Sequence, residues 1–145
     1  MSLVERVYVA LGSNLGDREG TLARARESIA LIPLTRLLAV SAAEETDPVG
    51  GPPQGRFLNQ MALVETSLDP HRFLKALQAI EDREGRERIE RWGPRTLDLD
   101  IVKFGTRRLR DPDLVVPHPQ LFQRAFWLRE MEELDQMAPA ASTDD

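Results

Sequence analysis

The chain is 145 residues long, 41% hydrophobic, with a formal net charge of -5. That length supports one globular domain with its own core, and the acidic balance excludes a general nucleic-acid binder. No cysteine supplies a disulfide or a thiolate metal site, and no apolar run approaches the roughly 20 residues of a membrane span.

Residues 1–11 lack the basic start and long apolar centre of a signal peptide, so a cytoplasmic protein with no membrane partner is expected. Within them, residues 3–11 predict a first, largely buried strand. Gly12-Ser13-Asn14-Leu15-Gly16-Asp17 is dense in turn formers. Residues 21–32 predict a helix, because Leu22, Ala25, Ile29 and Ile32 fall on one stripe, and Pro33 ends it. Residues 34–44 predict a second strand. Residues 46–56 are too rich in Pro and Gly for a helix or a central strand, and a loop of that length is usually functional or mobile.

Residues 57–67 predict a third strand, with Asn59 inside it. Asp69 and Pro70 then mark a helix start, an acidic cap followed by proline in the first turn. Phe73, Leu74, Leu77 and Ile80 make its buried stripe, Gln78 and Glu81 share a different face, and Gly85 closes it. A strand runs from Thr96, a polar hairpin is expected over 105–111 and a short strand over 114–116. Pro117-His118-Pro119 turns the chain into a last helix from about residue 120. Residues 135–145 have little to bury and are expected to fray, which leaves 1–134 as a single domain. The order β-α-β-β-α-β predicts an α+β, ferredoxin-like sandwich. In it an antiparallel sheet carries helices on one face and the site on the other, with a C-terminal hairpin and helix added.

The chemistry concentrates around the strand after Thr96. Leu97, Leu99 and Ile101 share one face, and Asp98 and Asp100 share the other. Such a pair also suits the wet face of an antiparallel sheet. Here, however, Trp92-Gly93-Pro94-Arg95 leads straight into it, and an aromatic and a rigid turn make a poor solvated edge. Mg2+ takes one or two carboxylates and completes its shell with phosphate oxygens and water, so two ions flanked by Asp98 and Asp100 fit phosphoryl transfer. From residue 83 to 95 five arginines face three glutamates, and Arg86, Arg88 and Arg95 suit a polyphosphate. There is no Gly-x-x-x-x-Gly-Lys-Ser/Thr run, which excludes a P-loop. His118, held between two prolines, suits either a phosphate contact or a structural turn, whereas His71 is expected to face solvent. Trp92, Phe57 and Phe126, taken singly, read as core. Asn59 offers two donors and an acceptor from inside a strand, which suits the edge of a heterocycle.

Arg91-Trp92-Gly93-Pro94-Arg95-Thr96-Leu97-Asp98-Leu99-Asp100-Ile101 resembles the signature of the 6-hydroxymethyl-7,8-dihydropterin pyrophosphokinase family of folate biosynthesis. Gly12-Ser13-Asn14-Leu15-Gly16, Thr46-x-Pro48-x-Gly50 with Gln54-x-x-Phe57-x-Asn59, and Pro117-His118-Pro119 with Arg124-x-Phe126 resemble its other motifs, in the same order. A monomer is expected, and the resemblance implies an enzyme that moves the β,γ-diphosphate of ATP to the pterin hydroxymethyl and releases AMP. It implies two Mg2+ on Asp98 and Asp100, with Gln78, Glu81, Trp92, Arg95, Ile101, His118 and Arg124 on the ATP side. Arg86 and Arg88 would close over the phosphates, and Thr46, Val49, Phe57, Asn59, Trp92 and Phe126 would surround the pterin. The chain departs from the pattern at Asp113 and Val115, on the nucleotide rim, and after Leu128. The competing readings are another two-metal nucleotidyl or phosphoryl transferase and a ferredoxin-like binding module without catalysis.

Overall fold

The computed structural model describes residues 4–48, 53–85 and 96–139. Strand β1 (Glu5–Ser13) leads to helix α1 (Arg18–Ala30), then β2 (Thr35–Val40), β3 (Glu44–Thr46) and β4 (Phe57–Thr66). Helix α2 (Pro70–Arg83), β5 (Asp98–Phe104), a small hairpin of β6 (Leu109–Asp111) and β7 (Leu114–Val116), and α3 (Ala125–Met137) complete the order. The main sheet runs β2-β4-β1-β5 with every pair antiparallel, the strand order of a ferredoxin-like sandwich, and β3 extends the β4 edge.

Both sandwich helices start where their caps dictate. Asp17 accepts from Gly20 N and Asp69 from Arg72 N, so each carboxylate satisfies a first-turn donor that no helical carbonyl reaches. α1 buries Leu22, Ala25 and Ile29, and α2 buries Phe73, Leu77 and Ile80. They pack on Val7, Val9, Leu11, Ala62, Val64, Leu97, Leu99 and Ile101 to form the main core. Gly85, at φ +73, turns the chain out of α2 as the sequence indicates.

Four expectations are corrected. Gly12 and Ser13 belong to β1, paired with Asn59 and Leu58, and are not part of the turn. The strand expected over 34–44 breaks at Ser41, whose hydroxyl takes the Met61 N–H at 2.8 Å, and pairing resumes only at β3. The hairpin expected over 105–111 instead joins β6 to β7 and turns at Pro112 and Asp113. The two sandwich helices share one face, as expected, and the added C-terminal helix takes the other. α3 packs across the sheet from α1 and α2, where Trp127 and Leu134 meet Ala10, Met61, Leu63 and Val102 in a second core. Lastly, α3 stays helical through Met137 and does not fray at Asp135. Tyr8 donates to the Asp135 carboxylate, and Arg6 reaches the carbonyls of Ala138 and Pro139 at 2.6 and 3.1 Å. Among the described residues no helix is long and apolar enough to cross a membrane.

Candidate active site

α3 covers only part of its face of the sheet, and the uncovered part is a cleft of about 550 Å³. Its floor follows from register. Gly12 on β1 is paired with Asn59 of β4 on one side and with Asp98 of β5 on the other. Residues directly opposite in an antiparallel ladder point to the same face, so the amide and the carboxylate flank a glycine. Two strand spacings put their backbones roughly 10 Å apart. A Cβ on Gly12 would stand 3.2 Å from Asn59 Oδ1 and 3.5 Å from a Phe57 ring carbon, so glycine keeps the floor open. One step along, Asp100 is opposite Ala10, another small residue.

The alternation predicted for β5 holds. Leu97, Leu99 and Ile101 are buried toward the helices, while Asp98 and Asp100 are half-buried and line the cleft. Beyond them the register shifts and leaves Val102 without an opposite residue in the ladder. Its carbonyl accepts the His118 N–H at 2.8 Å, so the irregularity in β5 helps bring His118 to the acidic pair. The Val116–Pro117 peptide just before it is cis.

His118 Nδ1 accepts the Gln120 N–H at 3.1 Å, and Nε2 lies 4.0 Å from Asp100 Oδ1. Burial pushes the imidazole down to about 4, the Arg124 charge adds to this, and Asp98 opposes it. The ring is therefore neutral near pH 7, with its proton on Nε2, toward Asp100. The Arg124 guanidinium sits 4.4 Å from the Trp127 ring centroid, and His118 meets the same indole edge-on at 4.9 Å. Burial lowers the Arg124 pKa, and Asp100 and Asp98 counter it.

On the other side, Asn59 Nδ2 donates to the Thr46 hydroxyl, with Phe57 and Phe126 beside them in the cleft wall. Asn14 donates to Gln54 Oε1 at 2.7 Å and to the Gly55 carbonyl at 3.1 Å. Asn14, the first residue past β1, thus ties its turn to the end of the Pro/Gly loop.

Nine residues singled out in the sequence meet in this cleft: Thr46, Phe57, Asn59, Asp98, Asp100, Ile101, His118, Arg124 and Phe126. Phe57 and Phe126, which taken singly read as core, are half-buried in its wall. Gln78 is exposed on α2, outside the wall. Glu81 is buried at 4% exposure among the α2 core residues, where it accepts the Leu99 N–H at 2.8 Å. Although three apart, the two differ in exposure, and Glu81 lies under β5, where it holds the backbone of Leu99 between the two acids. Val49, Arg86, Arg88, Trp92 and Arg95 lie outside the described residues. His71 does not simply face solvent, because its Nε2 lies 2.7 Å from Asp111 Oδ2. Trp127 was missed, because at 2% exposure an indole on a helix reads as core. The available signal was its spacing, three residues past Arg124, which caps α3 and lays its guanidinium over the ring.

The model of the 7,8-dihydro-6-hydroxymethylpterin-pyrophosphokinase (HPPK) family matches residues 8–136. A 2-amino-4-hydroxy-6-hydroxymethyldihydropteridine pyrophosphokinase of Pseudomonas aeruginosa is 48% identical over 132 residues, 91% of this chain and 82% of that protein. One from Bacillus subtilis is 43% identical over 144 residues, 94% and 84% of the respective chains. Among solved structures, an HPPK-DHPS in complex with substrates superposes with a TM-score of 0.68 at 13% identity, over 93% of this chain. A Plasmodium falciparum HPPK-DHPS with pterin and p-hydrobenzoate superposes with a TM-score of 0.64 at 14% identity, over 88% of this chain. This chain spans 41% and 40% of those two chains, respectively.

Proposed function

We propose a reaction from one established premise, that the chain belongs to the 7,8-dihydro-6-hydroxymethylpterin-pyrophosphokinase family and is a pyrophosphokinase of folate biosynthesis. The reaction is transfer of the β,γ-diphosphate of ATP to the hydroxymethyl of 6-hydroxymethyl-7,8-dihydropterin, with AMP released, by a cytoplasmic monomer. The observation that carries it is the register row in which Gly12 separates Asn59 from Asp98. That row gives the cleft one end suited to a heterocycle edge and another suited to phosphate and metal.

The donor set fits Mg2+. Asp98 and Asp100 offer hard oxygens from one strand face, and no cluster of three His, Asp or Glu residues is present among the described residues. That suits an ion that keeps water and takes substrate phosphates better than one needing a closed protein cage. Ions held by the pair, two in this proposal, supply charge neutralisation on the phosphates and polarise the transferred group.

The protein's own part is positioning and electrostatics. Asn59 and Thr46 present donors and acceptors to the pterin edge, and Phe57 and Phe126 give it apolar walls. Arg124, held on the Trp127 face, adds a fixed positive charge on the ATP side, and neutral His118 offers an Nε2–H donor. Arg86, Arg88 and Arg95 complete the phosphate grip, and Val49 and Trp92 the pterin slot. Gln78 and Glu81 have no direct contact role in this proposal. Calorimetry tests the reading: ATP binds with Mg2+ and far more weakly with EDTA. Equal affinity in both buffers, or none, would overturn it.

A further inference from the structure

The β6–β7 hairpin is a separate two-stranded sheet that makes no ladder with the main one. Its apolar side is secured, because Leu114 and Val116 are buried in the main core. Its turn is the part that matters to the cleft, since Pro112, Asp113, Leu114 and Val115 all line the wall. Among the described residues, one side chain ties the turn to α2. His71, in the first turn of α2, lies with Nε2 2.7 Å from Asp111 Oδ2 and Nδ1 3.5 Å from Asp113 Oδ1. The two nitrogens of one ring thus address the residues on either side of Pro112.

We propose that His71 is a positioning residue for the nucleotide rim, holding the β6–β7 turn against α2 by bridging Asp111 and Asp113. This rests on the ATP reading of the cleft. The bridge is strongest when both ring nitrogens carry protons, because a neutral imidazole can donate from only one. The groups facing the ring favour that state. Asp111 and Asp113 approach from the hairpin and Asp69 from the α2 cap, with Arg72 paired to Asp69 at 3.5 Å. Arg107, before β6, feels Asp69 as well but is committed to Glu5 at 2.7 Å. The Asp111 contact raises the imidazole pKa above its ordinary value, burial acts the other way, and Asp113, Asp111 and Asp69 add to the rise.

The test compares the wild type with His71→Ala and His71→Gln in two readouts, hydrogen exchange of amides 109–116 and the Kd for Mg-ATP. The Ala variant should exchange about ten-fold faster across the hairpin and nowhere else, and bind Mg-ATP about three- to ten-fold more weakly. Its kcat and its KM for the pterin should hold, and the Gln variant, with one N–H donor group, should recover part of the loss. The ratio of variant to wild-type Kd should be largest at pH 6 and shrink toward pH 9. Unchanged hairpin exchange overturns the tie. Faster exchange with unchanged nucleotide affinity overturns its role at the rim. A wild type that binds no Mg-ATP overturns the parent reading instead, and exchange still decides the tie.

Discussion

Asp98, Asp100 and Asn59 differ in what they cost the molecule and what they give the reaction. The two carboxylates are half-buried on an edge strand and carry little of the core, so Asp98→Ala or Asp100→Ala should leave the melting temperature nearly unchanged. In the proposed reaction each carboxylate would be a metal ligand worth several kcal/mol of charge stabilisation, so turnover should fall by about 10³-fold or more. Near-normal rates with Mg2+ in either variant would refute the metal assignment. Asn59→Ala removes the amide opposite Gly12 and leaves the acidic pair in place. Pterin affinity should drop by about 10- to 100-fold, the 1–3 kcal/mol of an unmet hydrogen bond, while ATP affinity holds. Equal losses for both ligands would mean that Asn59 supports the cleft as a whole. Period-two alternation placed Asp98 and Asp100 on one face in the sequence, and Asn59 stood out as a polar amide inside a strand. Trp127 was not legible, because nothing in an amphipathic pattern separates an indole that supports a cleft arginine from one that only fills space.

Among the elements, α3 is the one the sequence placed least well. Its period shows an apolar stripe but cannot say which sheet face receives it, and residues 135–137 look too polar to stay ordered. The structure ties it down with polar contacts. Glu133 accepts the Ala42 N–H at 2.8 Å and Arg129 pairs with Glu44 at 2.9 Å, both where the strand pairing breaks. Between them Glu130 is 1% exposed, and among the described residues neither carboxylate oxygen meets a hydrogen-bond partner by geometry. Burial first, then neighbouring Glu44 and Glu133, raise its pKa to about 8, with Arg129 opposing. The folded state then holds a proton that the unfolded chain releases at its ordinary 4.5. Stability therefore falls as pH rises through the window between those values and levels off above it. The slope is at most about 1.4 kcal/mol per pH unit. Glu130→Gln removes the titration, so it should match the wild type near pH 5 and exceed its melting temperature at pH 9. Parallel melting curves across that range would contradict the assignment. Most strand and helix cores were legible, because caps and periods are local. The breaks at Ser41 and Val102 were not, because each depends on a partner distant in sequence, Met61 for one and His118 for the other.

At the scale of the whole molecule, a ferredoxin-like sheet uses one face for its helical core and divides the other between α3 and the cleft. The fold brings four sequence motifs to that second face: Gly12 on the central strand, Asn59 and Asp98 on its two neighbours, and His118 with Arg124 from the C-terminal turn. A sandwich with helices along one face alone would have left the acidic pair on open sheet, and α3 supplies the missing wall. The claim at stake is that this cleft moves a diphosphate as one unit. Product analysis tests it most directly: the protein is incubated with ATP, Mg2+ and 6-hydroxymethyl-7,8-dihydropterin, and the nucleotide is identified by chromatography. AMP should appear in step with the pterin diphosphate, and ADP in its place would contradict the account.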